Sequence, residues 1–164
     1  MEKINFAIRR ATAADMPAVH ALIKELAIYE RAEQEFVLSI EQLVIDGFGE
    51  NSIFECLVAE SDATGIVGMA LFYTKYSTWK GACIYLEDLV VQQAYRGCGL
   101  GRDLLESLMA IARDRKVGRL EWQVLDWNEP AIGFYRKLGA HLDEEWINCK
   151  FTFDQLQAFW PEKR

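Results

Sequence analysis

Three glycines on alternate positions, Gly97, Gly99 and Gly101, stand between a run that reads as a buried strand and a run that reads as a helix. Residues 84–91 are apolar apart from one acidic pair, Glu87 and Asp88, as expected of a central strand. After Gly101 the apolar residues Leu104, Leu105, Leu108, Met109, Ile111 and Ala112 keep to one helical face. A glycine-rich turn of this kind lets bare backbone N–H groups converge where a helix begins, and such a concavity binds phosphate. The two carboxylates just before it need a reason to be there, because a buried acid without a partner is costly. Strand alternation sends Glu87 and Asp88 to opposite faces, so they do not act as one pair unless a bulge intervenes.

The rest of the chain supplies a sheet around this unit. A first strand is expected over residues 4–9. Thr12 fits a helix N-cap with Asp15 three residues on and Pro17 in the first turns. Val19, Leu22, Ile23, Leu26 and Ala27 give that helix one core face, and Tyr29 and Glu30 close it. Ser39 with Gln42 resembles a capping box for a short helix over 40–45, broken by Asp46-Gly47-Phe48-Gly49. Strands are expected over 54–60 and 66–76, joined by a hairpin turn at 62–65, with Gly68 marking a bulge or a close approach. The strand over 82–92, the glycine turn and a helix to residue 116 follow. Residues 120–125 then alternate as a strand parallel to the previous one. Asn128 caps a further helix with Pro130 in its first turn and Gly139 at its stop. A last strand over 146–153 and a short helix from residue 154 complete the order β-α-α-β-β-β-α-β-α-β. The fold class is α/β: a mixed sheet with helices on its faces, in a single domain over residues 4–160.

Charge narrows the partners. A net charge of -7 argues against a nucleic-acid protein, where a basic face is expected. An acidic surface suits cationic small molecules, although solubility alone also favours it. The four cysteines, Cys56, Cys83, Cys98 and Cys149, form no Cys-x-x-Cys pair and have no metal-ligand spacing, so thiols in a reducing compartment and no metal are expected. His20 and His141 stand alone in sequence. With neither a signal segment nor a run long enough to span a membrane, a cytoplasmic protein that contacts no membrane is expected.

Arg96-Gly97-Cys98-Gly99-Leu100-Gly101 resembles the acetyl-CoA signature of the GNAT N-acetyltransferases, Arg/Gln-x-x-Gly-x-Gly/Ala, and the element order resembles that fold throughout. Leu22-Ile23-Lys24-Glu25-Leu26-Ala27, Asp46-Gly47-Phe48-Gly49, Tyr85-Leu86-Glu87-Asp88 and Trp127-Asn128-Glu129-Pro130 are similar to the diamine (spermidine/spermine) N-acetyltransferases and their thialysine-acetylating relatives. The similarity covers nearly the whole chain, with a shorter hairpin near Asp62.

The resemblance implies acetyl transfer from acetyl-CoA to a primary amine by direct attack, without an acyl-enzyme. Cys98 is then a variable position of the turn and not a nucleophile. Arg96, Gly97, Cys98, Gly99, Leu100, Gly101 and Arg102 would hold the pyrophosphate, Gly97 to Arg102 supplying backbone N–H groups and the following helix dipole favouring the anion. By resemblance, Leu89, Val90 and Val91 pair with the pantetheine arm where the central strand and the next splay apart. Asn128, Glu129, Pro130 and Ala131 would flank the cofactor. Tyr135 stands where the family places its proton donor to the CoA thiolate. Tyr29 and Glu30, at the end of the first helix, approach the amine.

An alkyl ammonium has a pKa of about 10.4, so the neutral nucleophile costs roughly 4–5 kcal/mol at pH 7. Glu87 is the acid expected to take that proton, directly or through water. A homodimer is expected from the family. Alternative readings are a related enzyme for another amino acid or peptide amine, and a non-catalytic CoA-binding module on the same fold. A Rossmann dinucleotide site fits less well, because the first-strand position and the distal ribose acid are missing.

Overall fold

The computed structural model describes residues 5–159. Ile4 and Trp160, the end residues of the expected strand and domain, lie outside the described residues. The chain divides into two compact units, Met1–Gln123 and Val124–Arg164.

The first unit contains β1 (Phe6–Arg10), α1 (Met16–Tyr29), α2 (Ile40–Phe48), β2 (Glu55–Ser61), β3 (Gly65–Ser77), β4 (Gly81–Val91), α3 (Leu100–Asp114) and β5 (Leu120–Glu121). The strands form one sheet in the order β1-β2-β3-β4-β5. Neighbours are antiparallel except β4 and β5, which are parallel across the α3 crossover. Met16, Val19 and Leu22 of α1 and Leu43 of α2 bury one face with Cys56, Val58, Met69, Leu71 and Val90. Leu100, Leu104, Leu105 and Leu108 of α3 are buried as well. A Cβ at Gly68 would meet the Leu104 side chain at 3.3 Å, which places Gly68 on the α3 face. Burying each such leucine contributes about 2 kcal/mol, so helix packing on both faces carries most of the sheet's stability.

Several expected boundaries move for local reasons. Thr12 does not open α1 itself but a 3-10 turn, Ala13–Asp15, whose Asp15 Oδ2 accepts the Thr12 N–H at 2.7 Å. Arg9 of β1 donates to both Asp15 oxygens, at 2.7 and 2.9 Å, and to Glu60 of β2 at 2.7 Å. The guanidinium therefore pins the entry of α1 to the first two strands, and it holds the Asp15 carboxyl down at about 2. α2 begins as expected, with the Gln42 N–H donating to Ser39 Oγ, but continues through Gly47 to Phe48. Gly47 acts there as a packing residue: a Cβ on it would stand 2.6 Å from the Phe54 ring.

Two bulges interrupt the antiparallel ladder. Between β2 and β3, Ala59 pairs with Gly68 and Glu60 with Ile66, so Val67 is the extra residue. Gly68 also answers the second expectation, because its added Cβ would lie 3.0 Å from the Val90 carbonyl oxygen. Between β3 and β4, Leu71 pairs with Asp88 and Phe72 with Leu86, which leaves Glu87 as the extra residue.

The strand expected over 120–125 is only two residues long, Ile84 pairing with Leu120 and Tyr85 with Glu121. Among the described residues no strand pairs with β4 beyond Tyr85 on that side.

The second unit holds α4 (Glu129–Lys137) and α5 (Phe153–Ala158). The strand expected over 146–153 is not formed: residues 146–152 belong to no helix or strand, Phe153 opens α5, and Trp146, Ile147 and Phe151 stand exposed. The alternating pattern is present in the sequence, but a strand exists only through hydrogen bonds to a second strand, and no strand is described in this unit. Among the described residues no helix is long and apolar enough to cross a membrane.

Candidate active site

The glycine turn is built as the spacing requires. β4 ends at Val91, a short 3-10 turn spans Gln93–Tyr95, and α3 starts at Leu100. Gly97 and Gly99 have φ of +80° and +94°, values that disfavour any side chain. No protein atom lies within 4 Å of where a Cβ would stand on either glycine, so their outer faces are open. The first bond of α3 runs from the Asp103 N–H to the Gly99 carbonyl at 3.0 Å. The N–H groups of Leu100, Gly101 and Arg102 therefore precede the helical ladder and are available to an anion. This arrangement fits a pyrophosphate.

The basic side chains do other work in this structure. Arg96 donates from Nε to the Val91 carbonyl at 2.9 Å, lies 3.6 Å from the Glu25 carboxylate and sits over the Tyr29 ring at 5.5 Å. It thus braces the turn against α1. Arg102 pairs with Glu106 at 2.7 Å one helical turn on. Cys98 is exposed, and its thiol donates to the Tyr95 carbonyl at 2.9 Å.

Leu89, Val90 and Val91 lie on the part of β4 that β5 does not reach. Val90 is buried on the α1 face, while Leu89 and Val91 are half-buried.

The acidic pair departs from the expected alternation. Tyr85 is opposite Tyr73 and Leu86 is opposite Phe72. In an uninterrupted strand Asp88 would share the face of Leu86. The extra residue at Glu87 shifts the register by one, so Asp88 stands opposite Leu71, which in turn stands opposite Cys56. Leu71 and Cys56 belong to the α1 face, so Asp88 does too. Glu87 is exposed and close enough to Tyr73, on the same face, for its charge to act on the phenol. The bulge therefore brings together two carboxylates that a regular strand would separate, and glycine, the usual sequence marker of a bulge, is absent there.

Electrostatics follow from this placement. Burial pushes the Asp88 carboxyl up to about 7, helped by the negative charges of Glu87 and Glu30. Burial also raises Glu30, which is half-buried just past α1. Tyr73 is pushed up to about 12 by burial and by the Glu87 charge. Tyr85 rises through burial and the charges of Glu87, Glu121 and Asp88. The Tyr73 and Tyr85 rings lie 5.4 Å apart. Glu121 itself is ion-paired with Lys75 and Arg119. Tyr29, at the last position of α1, is exposed. The first unit thus presents Glu30, Glu87 and Asp88 with two tyrosines on one side of its sheet.

In the second unit, Asn128 Oδ1 accepts from the Ala131 N–H at 3.3 Å and caps α4, with Pro130 in its first turn. Glu129 and Pro130 are exposed and Ala131 is half-buried. Tyr135 is buried beside Phe134, their rings 5.2 Å apart. Elsewhere, His20 hydrogen-bonds the Leu38 carbonyl at 2.9 Å and stacks near Phe36, a structural role. All four cysteines are free, Cys56 and Cys83 buried and Cys98 and Cys149 exposed. Among the described residues no group of three or more His, Cys, Asp or Glu could hold a metal ion.

The acetyltransferase (GNAT) family profile matches residues 16–140, which include the glycine turn, the acidic pair and α4. The chain belongs to the GNAT family. It is an acetyl-CoA-dependent amine N-acetyltransferase, acetyl-CoA being the co-substrate of GNAT enzymes. The chain is 38% identical over 160 residues to the mouse thialysine N-epsilon-acetyltransferase, covering 92% of this chain and 94% of that one. It is 38% identical over 167 residues to the human spermidine/spermine N(1)-acetyltransferase-like protein 1, covering 96% of this chain and 24% of the longer human one. Among solved structures, an integron cassette protein from the mobile metagenome of V. cholerae superposes with a TM-score of 0.77 at 24% identity, over 94% of this chain and 97% of that one. That last likeness bears on the fold alone.

Proposed function

We propose that this enzyme acetylates the primary amine of a small, cationic acceptor of the polyamine, diamine or thialysine type. The similarity to thialysine N-epsilon-acetyltransferases over nearly the full length of both chains carries this reading. The acidic side of the first unit supports it, since a net charge of -7 and clustered carboxylates draw polycations. Acetyl-CoA supplies an acyl carbon activated by a thiolate leaving group.

On this reading residues 4–160 act as one catalytic domain. The backbone of Gly97, Cys98, Gly99, Leu100, Gly101 and Arg102 cradles the pyrophosphate, and Arg96 steadies the turn. Leu89, Val90 and Val91 offer backbone groups to the pantetheine arm, and Asn128, Glu129, Pro130 and Ala131 flank the cofactor. Tyr29, Glu30 and Glu87 receive the ammonium. Once its proton is removed, the amine attacks the acyl carbon, the C–N bond forms and the C–S bond breaks. Tyr135 protonates the departing thiolate. A phenol of pKa about 10 suits that step. The free thiols agree with a cytoplasmic setting. The exposed Trp146, Ile147 and Phe151 of the second unit suit association of two copies.

The test is acetyl-CoA turnover, followed by thiol release, against putrescine, spermidine, spermine, thialysine and lysine. Saturable turnover of one or more of the first four is expected. Turnover confined to lysine, or binding of CoA with no turnover of any amine, refutes the reading.

A further inference from the structure

We propose that Asp88, rather than Glu87, is the carboxylate that takes the proton from the acceptor ammonium, and that the one-residue bulge at Glu87 exists to place it there. The inference rests on the function proposed above and deepens it.

The geometry carries the argument. Without the bulge Asp88 would lie on the α3 face with Leu86 and Phe72, away from any amine drawn toward α1. With the bulge it stands opposite Leu71 and in line with Cys56, on the face where α1 ends at Tyr29 and Glu30. The groups that face it are Glu87 and Tyr85 on its own strand, Glu30 just past α1 and Cys56 on β2. All are acids or weakly acidic groups, and among the described residues no arginine or lysine forms an ion pair with Asp88. Glu87, in contrast, is exposed, with its charge felt by Tyr73. It can attract a cation, but it meets solvent on the way.

Burial and two negative neighbours raise the proton affinity of Asp88, which suits the task. Moving a proton from an ammonium of pKa about 10.4 to an ordinary carboxylate near 4 is uphill by a factor of about 10⁶, and to one near 7 by only about 10³. The balance of the step is complete. The ammonium gives one proton to Asp88, and the freed lone pair forms the C–N bond as the C–S bond breaks. The second proton lost by nitrogen offsets the one taken up by the thiolate, and Asp88 releases its proton to water. Net, one proton leaves per amide formed. Glu87 and Glu30 then serve as the charges that hold the ammonium and keep Asp88 basic.

The experiment is the pH dependence of kcat/KM for wild type, Asp88→Asn and Glu87→Gln, using the best acceptor of the five amines above. It is paired with a 13C NMR titration of aspartate side chains in the full chain. Wild type is expected to lose activity as pH falls through about 7. Asp88→Asn is expected to lower kcat/KM by roughly 10²–10⁴-fold and to abolish that acid limb. Glu87→Gln is expected to keep the limb and move it about one pH unit lower, because one like charge is gone. A merely structural role for Asp88 does not predict the shift in Glu87→Gln. An acid limb that survives in Asp88→Asn, or vanishes in Glu87→Gln, overturns the inference and returns the role to Glu87. Failure of every amine to react overturns the proposed function. An Asp88 resonance titrating near 4 overturns the inference alone.

Discussion

Replacing Gly68 with alanine isolates how closely β3 and β4 approach one another where the cofactor arm is proposed to lie. The added Cβ would stand 3.0 Å from the Val90 carbonyl oxygen, 3.3 Å from Leu104 Cδ1 and 3.4 Å from Val91 Cγ2. Two of these contacts are tighter than ordinary van der Waals contact, and the first is to backbone, which cannot rotate away. Leu104 is fully buried, so it has nowhere to yield. Overpacking of this kind costs about 1–3 kcal/mol. For a chain of this size that lowers Tm by roughly 2–12 °C. The relief available to the sheet is to push β4 outward at Val90, a residue proposed to hydrogen-bond the pantetheine arm, so CoA affinity should fall together with stability. Gly81→Ala is the control. Gly81 has φ +78° with nothing within 4 Å of its Cβ position, so it should lose about 1 kcal/mol through backbone strain alone and leave CoA binding unchanged. Thermal unfolding and CoA titration calorimetry on both variants decide the matter. A Gly68→Ala protein with wild-type Tm and CoA affinity would refute the close-approach argument.

Other outcomes follow from the same geometry. Arg9 lowers the folded-state pKa of Asp15 from 3.8 to about 2. This stabilisation is fully present above pH 4 and is lost as pH falls through 2. The shift corresponds to about 2 kcal/mol, cut to about 1 because Arg9 is partly solvated. Chemical denaturation of wild type and Asp15→Asn between pH 6 and 2 should therefore converge toward the acid end; parallel curves would contradict the coupling. Tyr135→Phe should lower turnover with little change in CoA affinity, and unchanged turnover would remove Tyr135 from the acid role. Gly99→Ala, at φ +94°, should weaken CoA binding at least several-fold by reorienting the N–H groups at the start of α3, as read by the same calorimetry.

The unit around the glycine turn was legible in sequence because its determinants are local. Glycines impose the turn at Gly97 and Gly99, and helical spacing of leucines declares α3. The capping residues Ser39, Asn128 and Pro130 mark their helices for the same reason. The acidic pair was not legible in the same way. Leu86-Glu87-Asp88-Leu89 carries no glycine or proline to announce a bulge, and register depends on what β3 presents from a distant part of the chain. A slip of one residue reverses every facing downstream, so alternation alone does not say which face Asp88 takes. Residues 146–153 show the opposite failure. Their alternation is real, but pairing is a property of two strands, and one of them was never specified.

The brevity of β5 has a consequence for the unliganded enzyme. From Leu86 to Val91 one flank of β4 pairs with no described strand, and there only the Val91 carbonyl is taken up, by Arg96 Nε, among the described hydrogen bonds. Such a flank is a template for any extended chain, including that of another protein molecule. If an amide-bearing arm completes it, the ligand behaves as a temporary sixth strand, and loading the enzyme also protects it from self-association. Cells that keep acetyl-CoA abundant would then be supplying this sheet with its missing member as well as its acyl donor.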